Sequence, residues 1–464
     1  MKIEIILYLL LAFFLSYKFA SGTKNYMFFF LLFLWIMAEP TLNARYFHFS
    51  SNILPFSLNV KKIYLCLLVI PIIGEMLRIK KGASNNSVFP IEHNYECWIY
   101  VYIIVILIST SVNKVNGLIT VSEFLVVNAG NWLFIVFYNG TKIFIDPVAT
   151  RRIFNLILVT SVISAVFAIG QVFIDPEFFK IGYARLAFEE TVRAHGIFGA
   201  EYTMSFFHIT AIILIITYFE KYYILILPNL IAIALSFHRL SYAIFILIMI
   251  LILISTKKKR RMLFPLVIAS SLFLLSAMYL FESYGFSVVN FVHERFPERV
   301  SAQNIFDRFD QYKNAYIIIQ DNFWGIGSYM SNIYISYADK IGQVVYRGIY
   351  NPDLKIFTDM KLQGVAIHNG FLSAGVLYGI LGLISFFMMC ASTLFFFIKK
   401  FRKPWSRPMS MAPLLVVITW ILYQTTNGFN CLYTYYGIYF GIILAALSKM
   451  ETAYPYKTRE TSKS

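Results

Sequence analysis

Residues 240–261 read LSYAIFILIMILILISTKKKRR. An almost uncharged apolar run ends abruptly in five consecutive cations, Lys257, Lys258, Lys259, Arg260 and Arg261. A bilayer-spanning helix needs about 20 mostly apolar residues. In hydrocarbon the backbone must satisfy its own hydrogen bonds, so such a run predicts a helix. Lys and Arg in short loops mark the cytoplasmic flank of a span. This stretch therefore predicts a span that enters the cytoplasm at residue 257.

The same pattern extends in both directions. Apolar runs predict spans over 3–20, 26–43, 60–78, 98–113, 118–138, 153–174, 199–219, 222–236, 240–256, 263–283, 369–398, 411–428 and 431–448. The fold class expected is an all-α polytopic membrane protein with about 12–13 transmembrane helices. The first run, Met1 to Gly22, has the outline of a signal peptide, but in a chain full of later spans it reads as an uncleaved first helix. Composition agrees: of 464 residues 59% are hydrophobic and only 14% charged, against about 25% charged in soluble domains. Mean hydropathy is +0.67. The net charge of +16 does not point to nucleic acid, because the cations sit in short runs between apolar segments rather than along one face. Cys66, Cys97, Cys390 and Cys431 form no CxxC pair and read as small buried hydrophobes.

Further basic runs fix the orientation. They are Lys399, Lys400, Arg402 and Lys403; Arg151 and Arg152; Arg78, Lys80 and Lys81; and Lys457, Arg459 and Lys463 in the tail. One span leads out from 257–261 and one leads back to 399–403, so both routes put residues 284–367 outside. The chain then divides into N-terminal helices (1–150), central helices (151–283), a large outside loop (284–367), C-terminal helices (368–449) and a cytoplasmic tail (450–464). From Glu282 to Lys361 the loop holds nine acidic and eight basic residues, with enough apolar residues to fold. Ile305, Phe309, Tyr312, Tyr316 and Ile319 recur at helical spacing, predicting a helix near 303–320, and Gly325-Ile326-Gly327 breaks it.

Arg193, Arg239, Arg308 and His368 converge by topology on the outer side or at outer helix ends. A guanidinium offers a fork that matches phosphate oxygens, so an anionic lipid headgroup would explain these arginines. The plainer reading is a side chain snorkelling to the headgroups, or, for His368, a residue satisfying a loop. His293-Glu294 lacks the second histidine of a zinc helix. Asp307 and Asp310 have the spacing of a solvated helix face beside Arg308. Glu75 and Glu123 read as helix-end residues rather than proton relays. No Walker, GxGxxG or GxSxG motif occurs.

The segment Ala366-Ile367-His368-Asn369-Gly370-Phe371-Leu372, followed by Gly375, Tyr378-Gly379 and Leu381-Gly382-Leu383, resembles the "HN-x-x-L … G-x-x-G" signature of the O-antigen ligase/polymerase family. Arg308, Tyr312 to Ala315 and Asp321-Asn322-Phe323-Trp324-Gly325-Ile326-Gly327 are similar to its "R … W-x-x-A … D-x-P-x-x-G-x-G" stretch. Leu235 to Ser241 and Arg193 to Phe198 resemble its "T-x-S-R-G/S" and "R-x-x-G-x-F" elements. Phe323 stands where the family often has Pro, Tyr312 where it often has Trp, and His238 precedes the apex arginine.

The resemblance implies a metal-independent glycosyltransferase of C-type architecture, without a cofactor. It would act on undecaprenyl-pyrophosphate-linked glycan at the periplasmic face of a bacterial inner membrane, alongside a chain-length regulator protein. Arg193, Arg239 and Arg308 would cradle the pyrophosphate, with Asn369 among the groups binding substrate. His368 would accept or position the acceptor hydroxyl, work that suits an imidazole near neutral pH. One branch polymerises repeat units and the other ligates finished glycan to lipid A–core. The richness in Phe, Ile, Tyr, Lys and Asn, typical of serotype-specific loci of low G+C content, favours the polymerase. A lipid-linked oligosaccharide flippase is a third reading, which would predict charges or broken helices near mid-membrane.

Overall fold

The computed structural model describes residues 93–144, 147–174, 194–198, 201–255, 303–329, 331–340, 344–351, 356–364, 367–402, 407–425 and 435–453, with a few scattered positions elsewhere. The predicted spans at 3–20, 26–43, 60–78 and 263–283 fall wholly or mostly outside these residues, as do Arg193, Glu75, His293-Glu294 and the run 257–261.

The protein is an all-α polytopic membrane protein. Helices α1 (Asn94–Val115), α2 (Val121–Phe144) and α3 (Pro147–Phe173) lead to α4 (Glu201–Tyr218). A 3-10 turn (Glu220–Leu225) then opens α5 (Ile226–Leu235), which turns back through α6 (Arg239–Ser255). The loop helices α7 (Gln303–Asp321) and α8 (Asn332–Lys340) follow, then strands β1 (Val344–Asn351) and β2 (Ile356–Gly364). Helices α9 (Gly370–Arg402), α10 (Arg407–Gln424) and α11 (Tyr435–Ala453) close the described chain. Asn94–Val115, Thr150–Phe173, Glu201–Tyr218 and Gly370–Arg402 are each long and apolar enough to cross a membrane.

Helix α4 is buried almost all round from Met204 to Ile216 and forms the centre of the core. In lipid, helices associate by close packing and polar contacts rather than by the hydrophobic effect. The interior accordingly mixes stacked rings, such as Trp420 on Phe440 at 4.4 Å, with buried Ser, Thr, Asn and Gln.

Ring contacts set the direction of the helices. Tyr95 near the start of α1 meets Phe396 and Phe397 late in α9, and Tyr102 in mid-helix meets Tyr378 and Phe386. The two helices are therefore antiparallel, and the bundle has two distinguishable ends. One, the basic end, carries Arg151, Arg152, Lys399, Lys400 and Arg402. The other, the apex end, carries the α5–α6 turn and the start of α9. Glu123 lies at this second end as a cap: it accepts from Thr120 N at 2.8 Å while Thr120 Oγ1 accepts from Glu123 N.

The loop departs from a purely helical expectation. β1 and β2 pair antiparallel from Val344↔Gly364 to Asn351↔Ile356, with an irregularity between Gly348 and Tyr350. Their β-branched and aromatic residues favour a pleated ribbon, and Asn351-Pro352-Asp353 is turn chemistry. The helix predicted at 303–320 is α7. Its inner face, Ala315 and Ile318, packs with Ile326, Tyr334, Ala338, Ile367 and Val376 into a second small core. Tyr337 of α8 donates to Asp321 Oδ2 at 2.5 Å, closing the turn between α7 and α8. Burial, and then this carboxylate, raise the Tyr337 phenol above its usual range.

Candidate active site at the apex end

Helix α9 is broken at Gly379, whose φ of 74° and ψ of −171° are open only to glycine. The break leaves the carbonyls of Val376 and Leu377 without helical partners. The N–H groups of Ile326 and Gly327 fill them, each at 2.9 Å, and Ile380 N donates back to Phe323 O at 3.3 Å. A Cβ on Gly325 would lie 2.6 Å from the Leu377 carbonyl oxygen, so the chains meet backbone to backbone. Helix α1 seals the far side, where Ser109 Oγ and Asn113 Nδ2 donate to Trp324 O at 2.5 and 3.2 Å. The two glycine-bearing stretches, far apart in sequence, are halves of one backbone junction.

Above this junction α7 runs beside the first turns of α9, in the same direction. Ile319 packs on Gly375, and Gln311 and Tyr312 reach His368. Gln311 Oε1 accepts from His368 N at 3.3 Å, and Tyr312 Oη donates to His368 O at 3.2 Å. The His368 peptide is thus held on both sides while the residue remains exposed. Arg308 stands on α7 one turn before Gln311, which brings its backbone to the same end. Asn369 caps α9: its Oδ1 accepts from Phe371 N and Leu372 N at 3.0 and 3.1 Å. Its Nδ2 donates to Thr425 O at 3.2 Å.

The α5–α6 apex is built differently. Phe237 adopts φ 47°, a left-handed conformation that costs a bulky residue roughly 1–3 kcal/mol. This tight turn makes Arg239 the first residue of α6, exposed at the positive end of the helix dipole. His238 Nδ1 bonds Ser241 Oγ at 2.7 Å, and Ser241 Oγ bonds Tyr423 Oη of α10 at 2.6 Å. The His238 and Tyr423 rings lie 7° from parallel. On the next residues of α10, Gln424 packs on Gly370, and Thr425 just beyond the helix accepts from Asn369. One turn of α10 therefore holds both the apex and the start of α9.

The segment 194–198 joins the same end. Ala194 N donates to Leu235 O at 3.0 Å. Gln171 of α3 grips the loop three times: its Oε1 accepts from His195 N and Gly196 N at 3.0 and 2.9 Å, and its Nε2 donates to Gly196 O at 2.8 Å. Among the described residues no group of three or more His, Cys, Asp or Glu is arranged to hold a metal ion.

Residues 224–387 match the family described as O-antigen ligase. The match supports the O-antigen ligase/polymerase family for this stretch of the chain. The matched stretch runs from the turn before α5 to Phe387 in α9. It takes in Arg239, Arg308, His368 and Asn369, and both halves of the glycine junction. No curated protein matches the chain. The same match supports an O-antigen ligase/polymerase-type function, the family's members being glycosyltransferase-like enzymes.

Reading the sequence alone missed Gln311, Gln171 and Tyr423, the side chains that hold the site's backbone. Gln171 carried a usable signal, since an amide in an apolar span must find partners. Gln311 and Tyr423 carried none, because their partners are distant in sequence.

Proposed function

We propose that this protein is a polysaccharide polymerase that transfers a growing glycan from undecaprenyl pyrophosphate to the next lipid-linked repeat unit. The reaction would occur at the periplasmic face of a bacterial inner membrane. The observation that carries the reading is the convergence of Arg239, His368 and the Arg308 backbone on one end of the bundle, opposite the basic end. The positive-inside rule makes the basic end cytoplasmic, so the apex end faces out.

In this reaction the acceptor hydroxyl attacks the anomeric carbon, and the bond from that carbon to the pyrophosphate oxygen breaks. His368 takes the hydroxyl proton. Arg239 and Arg308, together with Arg193, stabilise the negative charge left on undecaprenyl pyrophosphate. The start of α6 adds its dipole to that site. Asn369 serves by capping α9 and tying its start to Thr425, since both ends of its amide are engaged. Chain-length control by a second protein would act on the outer loop.

Ligation of finished glycan to lipid A–core is the second reading, favoured by the description of the matching family. A strain lacking its polymerase separates the two. A polymerase restores long chains where only single repeats were made. A ligase leaves chain length unchanged and alters whether glycan reaches the core. Unchanged glycan in both backgrounds contradicts both readings. A flippase is disfavoured, because the break in α9 is filled by backbone from the loop.

A further inference from the structure

We infer that His238 is a second imidazole of the site, donating a hydrogen bond from Nε2 to the pyrophosphate of the polyprenyl donor. The inference rests on the function proposed above and concerns the same site. Three observations carry it. First, His238 directly precedes Arg239 at the start of α6, on the turn proposed to grip the pyrophosphate. Second, its ring is fixed: Nδ1 bonds Ser241 Oγ at 2.7 Å, and the plane lies parallel to Tyr423 at 6.3 Å between centroids. Third, the chain continues from Ser241 Oγ to Tyr423 Oη at 2.6 Å, deep in the protein.

The direction of that chain decides the tautomer. In the inferred arrangement Tyr423, the phenol being the better donor, donates to Ser241, and Ser241 donates to Nδ1. A neutral imidazole that accepts at Nδ1 carries its proton on Nε2. Nε2 lies across the ring from Ser241, directed away from the buried chain. Orientation of an active imidazole by a buried polar chain follows the logic of hydrolase triads, where the orienting group sets the tautomer. Arg239 is adjacent, Tyr423 lies beneath the ring, and His195 sits on the loop bonded to Leu235. The carboxylate of Glu201 at the start of α4 is within electrostatic range of Tyr423. A donor of fixed tautomer needs no titration to act, and it adds to Arg239 a bond that a snorkelling arginine would not require.

Two substitutions separate this role from a purely structural one. Asparagine reproduces the Nδ1 position and can keep the Ser241 bond, but it offers nothing at Nε2. Glutamine offers an amide N–H near the Nε2 position and gives up the Ser241 bond. The full-length protein in nanodiscs would be titrated with undecaprenyl pyrophosphate as probe. A hydrogen bond to a charged group is worth roughly a ten- to hundredfold change in affinity. His238→Asn is therefore expected to bind roughly ten- to hundredfold more weakly than the native protein, and His238→Gln to stay within about tenfold of it. A structural role predicts the reverse order. Equal binding by His238→Asn and the native protein would overturn the inference while leaving the polymerase reading intact. Failure of the native protein to bind the probe would remove both.

Discussion

The two ends of the bundle bury polar groups for opposite purposes. At the basic end Glu96 and Lys142 form an ion pair at 2.7 Å, with about 1% of each side chain exposed. Tyr138 donates to the same Glu96 oxygen at 2.6 Å and meets Tyr95 at 3.1 Å, while Tyr100 and Asn139 bond each other. This cluster neutralises itself and joins α1 to α2. At the apex end the buried polar side chains, Gln311, Gln171, Ser241 and Tyr423, grip backbone or one another. The cationic and imidazole groups, Arg239 and His368, are left at the surface. Charge turned inward and paired is a fastening, whereas charge held at the surface by a neutral frame borders the medium from which a ligand would arrive.

Substitutions at the two ends should therefore fail in different ways. The largest effect is expected from Arg239→Ala and His368→Ala. Each should lower transfer by about 10²- to 10³-fold or more while leaving the amount of folded protein unchanged, as measured by glycan chain length and by yield after solubilisation. A matching loss of folded protein would make the apex a fastening as well. Next is Glu96→Gln, which strands the Lys142 ammonium and should cost about 3–5 kcal/mol, seen as a lower melting temperature in detergent. The double variant with Lys142→Met should recover most of it, with activity per folded molecule unchanged throughout. Gly379→Ala should cost at least as much, since its Cβ would overlap the Phe323 carbonyl oxygen on top of about 1–3 kcal/mol of backbone strain, and it should reduce both stability and transfer because the junction fixes the first turns of α9 against the loop. The smallest is Asn369→Ala, the loss of a helix cap worth about 1 kcal/mol, again read as a shift in melting temperature.

How much of this could be read from the sequence varies along the chain. Helices α3 to α6 and α9 to α11 lie within a few residues of the predicted spans, because bilayer thickness fixes their length and basic runs fix their ends. Helix α7 was legible from the spacing of Ile305, Phe309, Tyr312, Tyr316 and Ile319. The hairpin was not, since Val344–Asn351 and Ile356–Gly364 show no sustained alternation of apolar and polar residues. Arg239, Arg308 and His368 were singled out individually from charge and topology. That Gly325–Gly327 and Val376–Gly379 form one junction was beyond the sequence, because a backbone-to-backbone contact leaves only glycines as its trace. The Glu96–Lys142 pair was missed because both residues lie in flanks where a charge ordinarily snorkels to water.

The account depends on Arg239 and His368 facing the same compartment, away from the basic end. In a variant whose four cysteines are replaced, Arg239→Cys, His368→Cys and Lys399→Cys would be labelled one at a time in intact spheroplasts with a membrane-impermeant maleimide. Labelling at positions 239 and 368, with position 399 labelled only after permeabilisation, is the expected result. Labelling at 239 and 368 from opposite sides of the membrane would contradict the shared site.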